Sequence, residues 1–382
     1  MRELPAGRDA LLLDFTDEPD PEIAARKAHS VLAAAGSPAG VTDVVAAEVT
    51  VLVQAEPGRG LDQLGVHRAL RGVDLSDDTS AESKNAVRPS SPAKAAAGDL
   101  VVIEPGPLTT IQDLGRPGHA DIGASLSGAA DRGAHRLANR LVGNDEGAAG
   151  LELTLGGLRM RARRRLLIAV TGAPADARID GVDHGHHSAT TLPAGAELYV
   201  PPPRGGLRTY VSIRGGIDIA PILGSRSTDL RTGLGPTPLQ AGDELAIGTS
   251  PGPWPPVTEA PWDVPAPDRP VTLRASSGPR DDHLVDPAAL FTGHWTVDAS
   301  SDRVGVRLIG NQPIRFISTS GAFRPEGIAL GSVEISPDGH PVVFLTEHPT
   351  IGDHPVIAVL TAESIDYAAQ LRPGRTVRFI PG

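Results

Sequence analysis

Asp113 and Arg116 lie three positions apart in the run T-T-I-Q-D-L-G-R-P-G-H, and Gly115, Pro117, Gly118 and Gly123 surround them. Glycine takes positive φ without cost and lets backbone approach a neighbour closely, so this run reads as a shaped loop rather than a strand. Two chemistries suit the pair. They can form a structural ion pair inside the turn. Alternatively, Arg116 can hold a phosphate or carboxylate while Asp113 or Glu152 positions a metal-bound nucleotide.

The segments that follow would position these groups. Ser127 can cap a helix in which Ala130, Ala134, Leu137, Leu141 and Val142 recur at helical spacing, and Gly143 can end it in the left-handed conformation. Arg132, Arg136 and Arg140 form an i, i+4 ladder on another face. That ladder reads either as a solvated basic stripe or as an anion-binding face. Leu151 to Leu155 alternates as a half-buried strand does. A loop, a helix and a strand would thus gather Asp113, Arg116, Asp131, Asn139 and Glu152.

Other constellations carry ligand-type residues. Ser225-Arg226-Ser227-Thr228 sets hydroxyls beside an arginine, as an anion cradle or as a polar loop, and Asp302-Arg303 and Arg324-Pro325-Glu326-Gly327 offer similar groups near the C-terminus. Asp183-His184-Gly185-His186-His187 has metal-ligand types, but it follows Asp180-Gly181 in a turn between expected strands. A solvated hairpin tip is the expectation there, and no metal ligands are assigned. Glu347 to Pro355 (E-H-P-T-I-G-D-H-P) is a further polar loop just after an expected strand. The candidate catalytic groups are Asp113, Arg116 and Glu152. The candidate substrate- or phosphate-binding groups are Gln112, Ser127, Asn139, Arg226, Ser227, Arg303, Glu326 and Thr350.

Composition narrows the chemistry. The chain has 382 residues, long enough for two or three cores, and its 3% aromatic content leaves aliphatic side chains to fill them. Its 44 glycines and 36 prolines are spread among alternating patterns, which suits many short strands and turns. A net charge of −11 argues against nucleic-acid or anionic-membrane partners. With no cysteine there is no disulfide, thiolate catalysis or zinc-thiolate site. The only lysines are Lys27, Lys84 and Lys94, so the main module holds no Schiff-base, P-loop or biotin-carrying lysine. No 18-residue apolar run and no signal-peptide layout are present, and a cytoplasmic location is expected.

In chain order, residues 1–76 read as a small α+β lobe, with strands at 10–15, 41–46 and 49–55 and helices at 21–35 and 61–73. Residues 77–98, rich in Ser, Ala, Lys and Pro, read as a disordered linker. Residues 99–250 and 271–382 read as two β-rich units, barrels or sandwiches, joined by a Pro-rich connector at 251–270. Expected strands of the second unit include Ile314 to Ser318 and Val356 to Leu360, with a short helix at 362–370.

Several ordered blocks also carry a resemblance. T-I-Q-D-L-G-R-P-G, S-G-A-A-D, L-A-N-R-L-V-G-N, L-E-L-T-L-G-G, R-G-G-L-R-T-Y-V-S-I-R-G-G-I-D, L-G-S-R-S-T-D-L, S-D-R-V-G-V-R-L and E-G-I-A-L-G-S-V-E-I-S-P-D-G-H-P span roughly residues 100 to 382. Together they resemble the family of the 5-oxoprolinase C subunit, also called allophanate hydrolase subunit two, the biotin-dependent carboxyltransferase family, or KipA-type proteins. The N-terminal lobe resembles, more weakly, the first lobe of the 5-oxoprolinase B subunit (KipI-type), whose second lobe has no counterpart here. The resemblance implies a mainly β chain: a small N-terminal α/β lobe, then two cyclophilin-like β-barrel domains. It implies ATP-dependent hydrolysis of 5-oxo-L-proline to L-glutamate through a phosphorylated intermediate, with ATP and Mg²⁺ as cofactors. The implied partners are a separate 5-oxoprolinase A subunit and, where the truncated lobe falls short, a complete B subunit. Carboxyl transfer from carboxybiotin to urea or a related amide, or a KipI–KipA-like binding role without chemistry, are the alternatives. The family reads close to Asp-Arg-Gln-Thr-Thr-Gly-Gly-Tyr-Pro where this chain has Glu347 to Pro355, which implies either altered specificity or lost chemistry.

Overall fold

A computed structural model describes residues 1–34, 40–71, 73, 75, 98–249, 252–261, 269–317 and 323–382. The expected linker, apart from Gly98, lies outside these residues. No helix among them is long and apolar enough to cross a membrane.

The N-terminal lobe is a four-stranded antiparallel sheet in the order Arg2–Pro5, Ala10–Asp14, Thr50–Ala55, Val41–Ala46. Its central strands are apolar on both sides because both sides are covered. Leu11, Leu13, Val51 and Val53 pack with Ala24, Ala28 and Leu32 of helix Pro21–Ala34 and Val66 of helix Gln63–Leu70. The alternate residues Ala10, Leu12 and Leu52 meet Ala329, far along the chain. A strand buried on both faces loses the polar alternation of a half-exposed one. Polar ties fix this docking: Arg280 bridges Asp14, at 3.1 Å, and Glu326. Gln54 Nε2 also donates to the Ile328 carbonyl at 3.1 Å.

Between residues 98 and 249 the strands form a six-stranded and a five-stranded sheet that enclose one aliphatic core. The ladder does not close into a ring there, unlike the second unit, where seven strands form a closed barrel around Trp295, Leu273, Val333, Val343 and Phe379. The expectation of two barrels is therefore met by one closed barrel and one two-sheet unit.

Three local expectations are corrected. Leu108–Gln112 is a strand paired with Gly150–Thr154, so the shaped loop begins only at Asp113. Helix Arg132–Val142 is capped by Asp131, whose carboxylate accepts from the Ala134 amide, and Ser127 lies upstream of it with φ 53°. Aspartate at this position satisfies an otherwise orphan amide, as serine would have done. The expected strand at Ile314 to Ser318 reduces to a single bridge between Phe316 and Leu284, with Ser318 outside the described residues. Gly143 does end the helix, at φ 71°. Residues 252–261 of the expected connector lie against the first unit, where Ala189 N donates to Thr258 O at 2.7 Å.

Candidate functional site

Glycine shapes the centre of the site. Gly115 has φ 87°, and a Cβ there would lie 2.3 Å from the Leu126 carbonyl, so only glycine lets the two segments touch. Asp113 pins the turn from inside. Its Oδ1 accepts from the Gly115 amide at 2.7 Å and from the hydroxyls of Ser225 and Ser227, and its Oδ2 accepts from the Arg226 amide at 2.6 Å. The 225–228 segment is thus drawn onto the loop by donors that satisfy one buried carboxylate.

Arg116 is 1% exposed and is not paired with Asp113. Its Nη2 donates to the Ser227 carbonyl at 2.6 Å, and its Nη1 lies 3.7 Å from Asp229 without a hydrogen bond. Nε and Nη1 have no hydrogen-bond partner. Arg132, on the first turn of the helix, donates to the Leu114 carbonyl at 2.8 Å and leaves its Nε without an acceptor. Burial lowers both guanidinium pKa values, that of Arg132 to about 10 with Arg136 adding repulsion. Buried donors without acceptors are costly in a folded chain and are natural contacts for an anion.

Both arginines line a cavity of ≈ 280 Å³ where three parts of the chain meet. The lobe contributes Asp43, Gln54 and Glu56, the first β unit Leu114 to Pro117 and Leu126, and the barrel Ile328, Leu330, His348 and Thr350. The lobe's acids are already engaged: Asp43 accepts from the Gly118 and Ala120 amides at 2.9 and 3.1 Å, and Glu56 pairs with Arg136 at 3.1 Å. His348 is buried, and burial lowers its pKa to about 4, so it is neutral at pH 7. Its Nδ1 faces the Pro349 carbonyl at 2.7 Å; a carbonyl only accepts, so Nδ1 carries the proton and Nε2 keeps its lone pair.

Of the sequence candidates, only Arg116 and Thr350 line this cavity. Asp113 and Ser227 shape it from behind, and Arg226 donates its Nε to the Ile219 carbonyl at 2.7 Å. Gln112 Nε2 bonds Thr110 and the Thr228 carbonyl, and Ser127 also bonds the Thr228 carbonyl. Asn139 holds the carbonyls of Glu146 and Ala148 at 3.1 and 2.9 Å. Glu326 lies under the lobe with Arg280. The arginine ladder divides: Arg132 is buried at the cavity, Arg136 ties the lobe, and Arg140 reaches Glu146 at 2.6 Å on the surface.

Glu152 and Arg303 form a different centre. Arg303 bonds Glu152, Glu347 at 2.6 Å and the Gly128 carbonyl at 2.7 Å. Tyr210 Oη and the Ala130 amide complete Glu152 at 2.8 and 2.9 Å, and Arg208 lies 3.4 Å away. Burial raises the Glu152 carboxyl's pKa, but Arg303 and Arg208 overcome that and hold it below its ordinary value. This clamp joins the two β units and lies outside the cavity lining. Asp131 and Asp366 form a second joint between the units at the helix N-terminus: burial, then their proximity, raises Asp131 to about 7, and burial raises Asp366 to about 6.

Sequence reasoning placed His348 only within a polar loop, and it raised Arg132 only as one of three ladder arginines, of which Arg132 alone lines the cavity. The signal available for Arg132 was its place on the helix, directly after the capping Asp131. At the 183–187 hairpin, His186 Nε2 lies 3.0 Å from the Gly172 carbonyl, and its ring stacks on His187. Among the described residues no group of three His, Asp or Glu is placed to hold a metal ion.

Residues 122–381 match the family model described as carboxyltransferase domain, subdomain A and B. The chain is 35% identical to the C subunit of 5-oxoprolinase from Escherichia coli over 74% of its own length and 90% of that protein. It is 32% identical to urea amidolyase of Lachancea kluyveri over 73% of its length, but spans only 17% of that larger protein. The crystal structure of TTHA0988 superposes with a TM-score of 0.81 at 23% identity, covering 97% of this chain and 100% of the other, so the fold likeness includes the N-terminal lobe.

Proposed function

The chain belongs to the carboxyltransferase domain, subdomain A and B family, and from that premise we propose that it is a component of the 5-oxoprolinase C-subunit type that holds 5-oxo-L-proline. The observation that carries this reading is Arg116, a buried guanidinium with two nitrogens free of hydrogen bonds at a cavity of ≈ 280 Å³. Both nitrogens are sealed from the cavity in this structure, so a small carboxylate supplies the missing acceptors once the Arg116 side chain shifts toward it. His348 Nε2 and the Thr350 hydroxyl then face the lactam amide, the one as an acceptor for its N–H, the other as a donor to its carbonyl.

ATP and Mg²⁺ do not fit this cavity. Its volume is at the small end of ligand sites, which run from about 300 to 1,000 Å³, and its acids Asp43 and Glu56 already have partners. The reading therefore assigns the nucleotide and its metal to a partner, the 5-oxoprolinase A subunit and, where the lobe here is insufficient, a complete B subunit. The likeness of residues 1–76 to a B-subunit lobe is part of this proposal, and the lobe's place in the cavity wall supports it. No biotin is attached to this chain in this reading, and carboxyl transfer to urea is the less supported reaction.

A binding-only, KipI–KipA-like role is the second reading. It is favoured by the cavity's bases: Asp43 is held by two backbone amides and Glu56 by Arg136, and burial leaves His348 weakly basic. Glutamate release from 5-oxo-L-proline with Mg-ATP separates the two. The chain would be assayed alone, with the A subunit, and with the A and B subunits together. Activity in either mixture that is lost in Arg116→Gln supports the first reading. Binding of 5-oxo-L-proline without turnover in any mixture supports the second.

A further inference from the structure

Glu334 is the least compensated buried acid described in the chain. It lies on strand Ser332–Ile335 of the barrel and is 5% exposed. Its Oε1 has no hydrogen-bond partner, and His354 Nδ1 lies 4.0 Å from its Oε2, beyond hydrogen-bond reach. The other charged groups that face it do not help. Asp353 and Glu326 are both carboxylates. Asp353 takes the nearer position on His354, at 3.0 Å. Arg280 is shared between Glu326 and Asp14.

What covers this carboxyl is the segment that differs from the family pattern. A Cβ on Gly352 would sit 2.7 Å from Glu334 Oε1, so the loop rests directly on the acid at a residue with no side chain. Gly352 and Ile351 pair with Glu326 and Gly327, and the Thr350 carbonyl accepts from the Ile328 amide at 3.0 Å. Thr350 and His348 on one segment and Ile328 on the other are walls of the cavity. The short ladder over Glu334 therefore also holds the barrel side of the cavity together.

We propose that Glu334 is a proton-operated latch: protonated, it lets the 350–354 segment close over it, and ionised, it drives that segment off the barrel and opens the cavity wall. Closed, the carboxyl is neutral and tolerates its carboxylate neighbours. Ionised, it becomes a desolvated negative charge beside Asp353 and Glu326 with no donor, which lifting the segment into water relieves. Burial, Asp353 and Glu326 push the closed-state pKa up to about 8, whereas an open, solvated glutamate titrates near its ordinary value of about 4.3. Opening thus releases a proton between these limits, and the opening equilibrium rises about tenfold per pH unit there and levels off above. The latch does not depend on the identity of the ligand.

Hydrogen exchange of the full chain from pH 5.5 to 9 tests it, with rates corrected for the pH dependence of unprotected amides. Amides at 350–354 and 326–328 are expected to open about tenfold more per pH unit until near pH 8. Glu334→Gln, which keeps shape without a titrating proton, is expected to give flat, protected exchange, and His354→Asn is expected to keep the wild-type slope. A flat wild-type profile overturns the proposal, as does a Glu334→Gln slope equal to wild type, or loss of the slope in His354→Asn. Should Glu334→Gln not fold, carbon NMR titration of the Glu334 carboxyl in the native chain decides instead. A midpoint near 8 sustains the latch and one near 4 to 5 removes it.

Discussion

Two buried charge centres lie on either side of the same loop, and they differ in what their donors touch. In the clamp, Glu152 receives Arg303, Tyr210 Oη and the Ala130 amide, while Arg303 is held by Glu152, Glu347 and the Gly128 carbonyl. At the cavity, Arg116 keeps Nε and Nη1 without acceptors. A satisfied centre fixes two β units relative to one another. An unsatisfied one beside a void has capacity left for a ligand. Burial is alike in the two: Arg303 has a partner for each nitrogen, and Arg208 Nε, 3.4 Å from Glu152, faces an ion-pair partner, whereas the incomplete Arg116 lies beside a cavity.

The largest effect expected from this contrast is at the clamp. Arg303→Met strands Glu152 and Glu347 and should cost about 3–5 kcal/mol of folding stability, read by denaturant unfolding. A loss below about 1 kcal/mol would show that the clamp is not the joint. At the cavity the balance should reverse. Arg116→Gln should weaken binding of 5-oxo-L-proline by about 10- to 100-fold, measured by calorimetry, with a far smaller loss of stability than Arg303→Met. Equal stability losses in the two variants would erase the distinction.

A smaller effect lies in the Asp131–Asp366 joint. Both acids titrate higher when folded than unfolded, to about 7 and about 6, mainly through burial. The folded state therefore holds protons that the unfolded state has released, and this contribution to stability is lost as pH rises from about 4 through about 7. Asp366→Asn should flatten the fall in Tm across that window, with Glu334 supplying what slope remains. An unchanged slope would place the titration elsewhere. The smallest effect is at the histidine hairpin, where EDTA should leave Tm unchanged; a fall would reveal a metal among His184, His186 and His187.

Much of the fold was legible in local pattern. The strands at Val41–Ala46 and Val356–Leu360, and the end of the helix at Gly143, follow from periodicity and from one residue's tolerance of positive φ. Leu108–Gln112 was hidden because T-T-I-Q carries polar residues that are buried here: Thr110 and Gln112 bond one another inside the unit. Ser127 and Asp131 are both good cap types four residues apart, and only the helix's contacts choose between them.

By itself the sequence determined the elements, the glycine-shaped loop, the lack of cysteine and of lysine beyond residue 94, and the likeness to its family. All of these are properties of neighbouring residues or of composition. Tertiary structure alone decided which charges are complete. Arg303 reaches Glu152 across 151 positions and Arg116 reaches Ser227 across 111, and no local pattern records whether such distant groups meet. It likewise decided that the lobe, not only the two β units, walls the cavity. The reason is physical: a side chain's type fixes what it can bond, while burial and the arrival of a distant partner fix whether that capacity is filled.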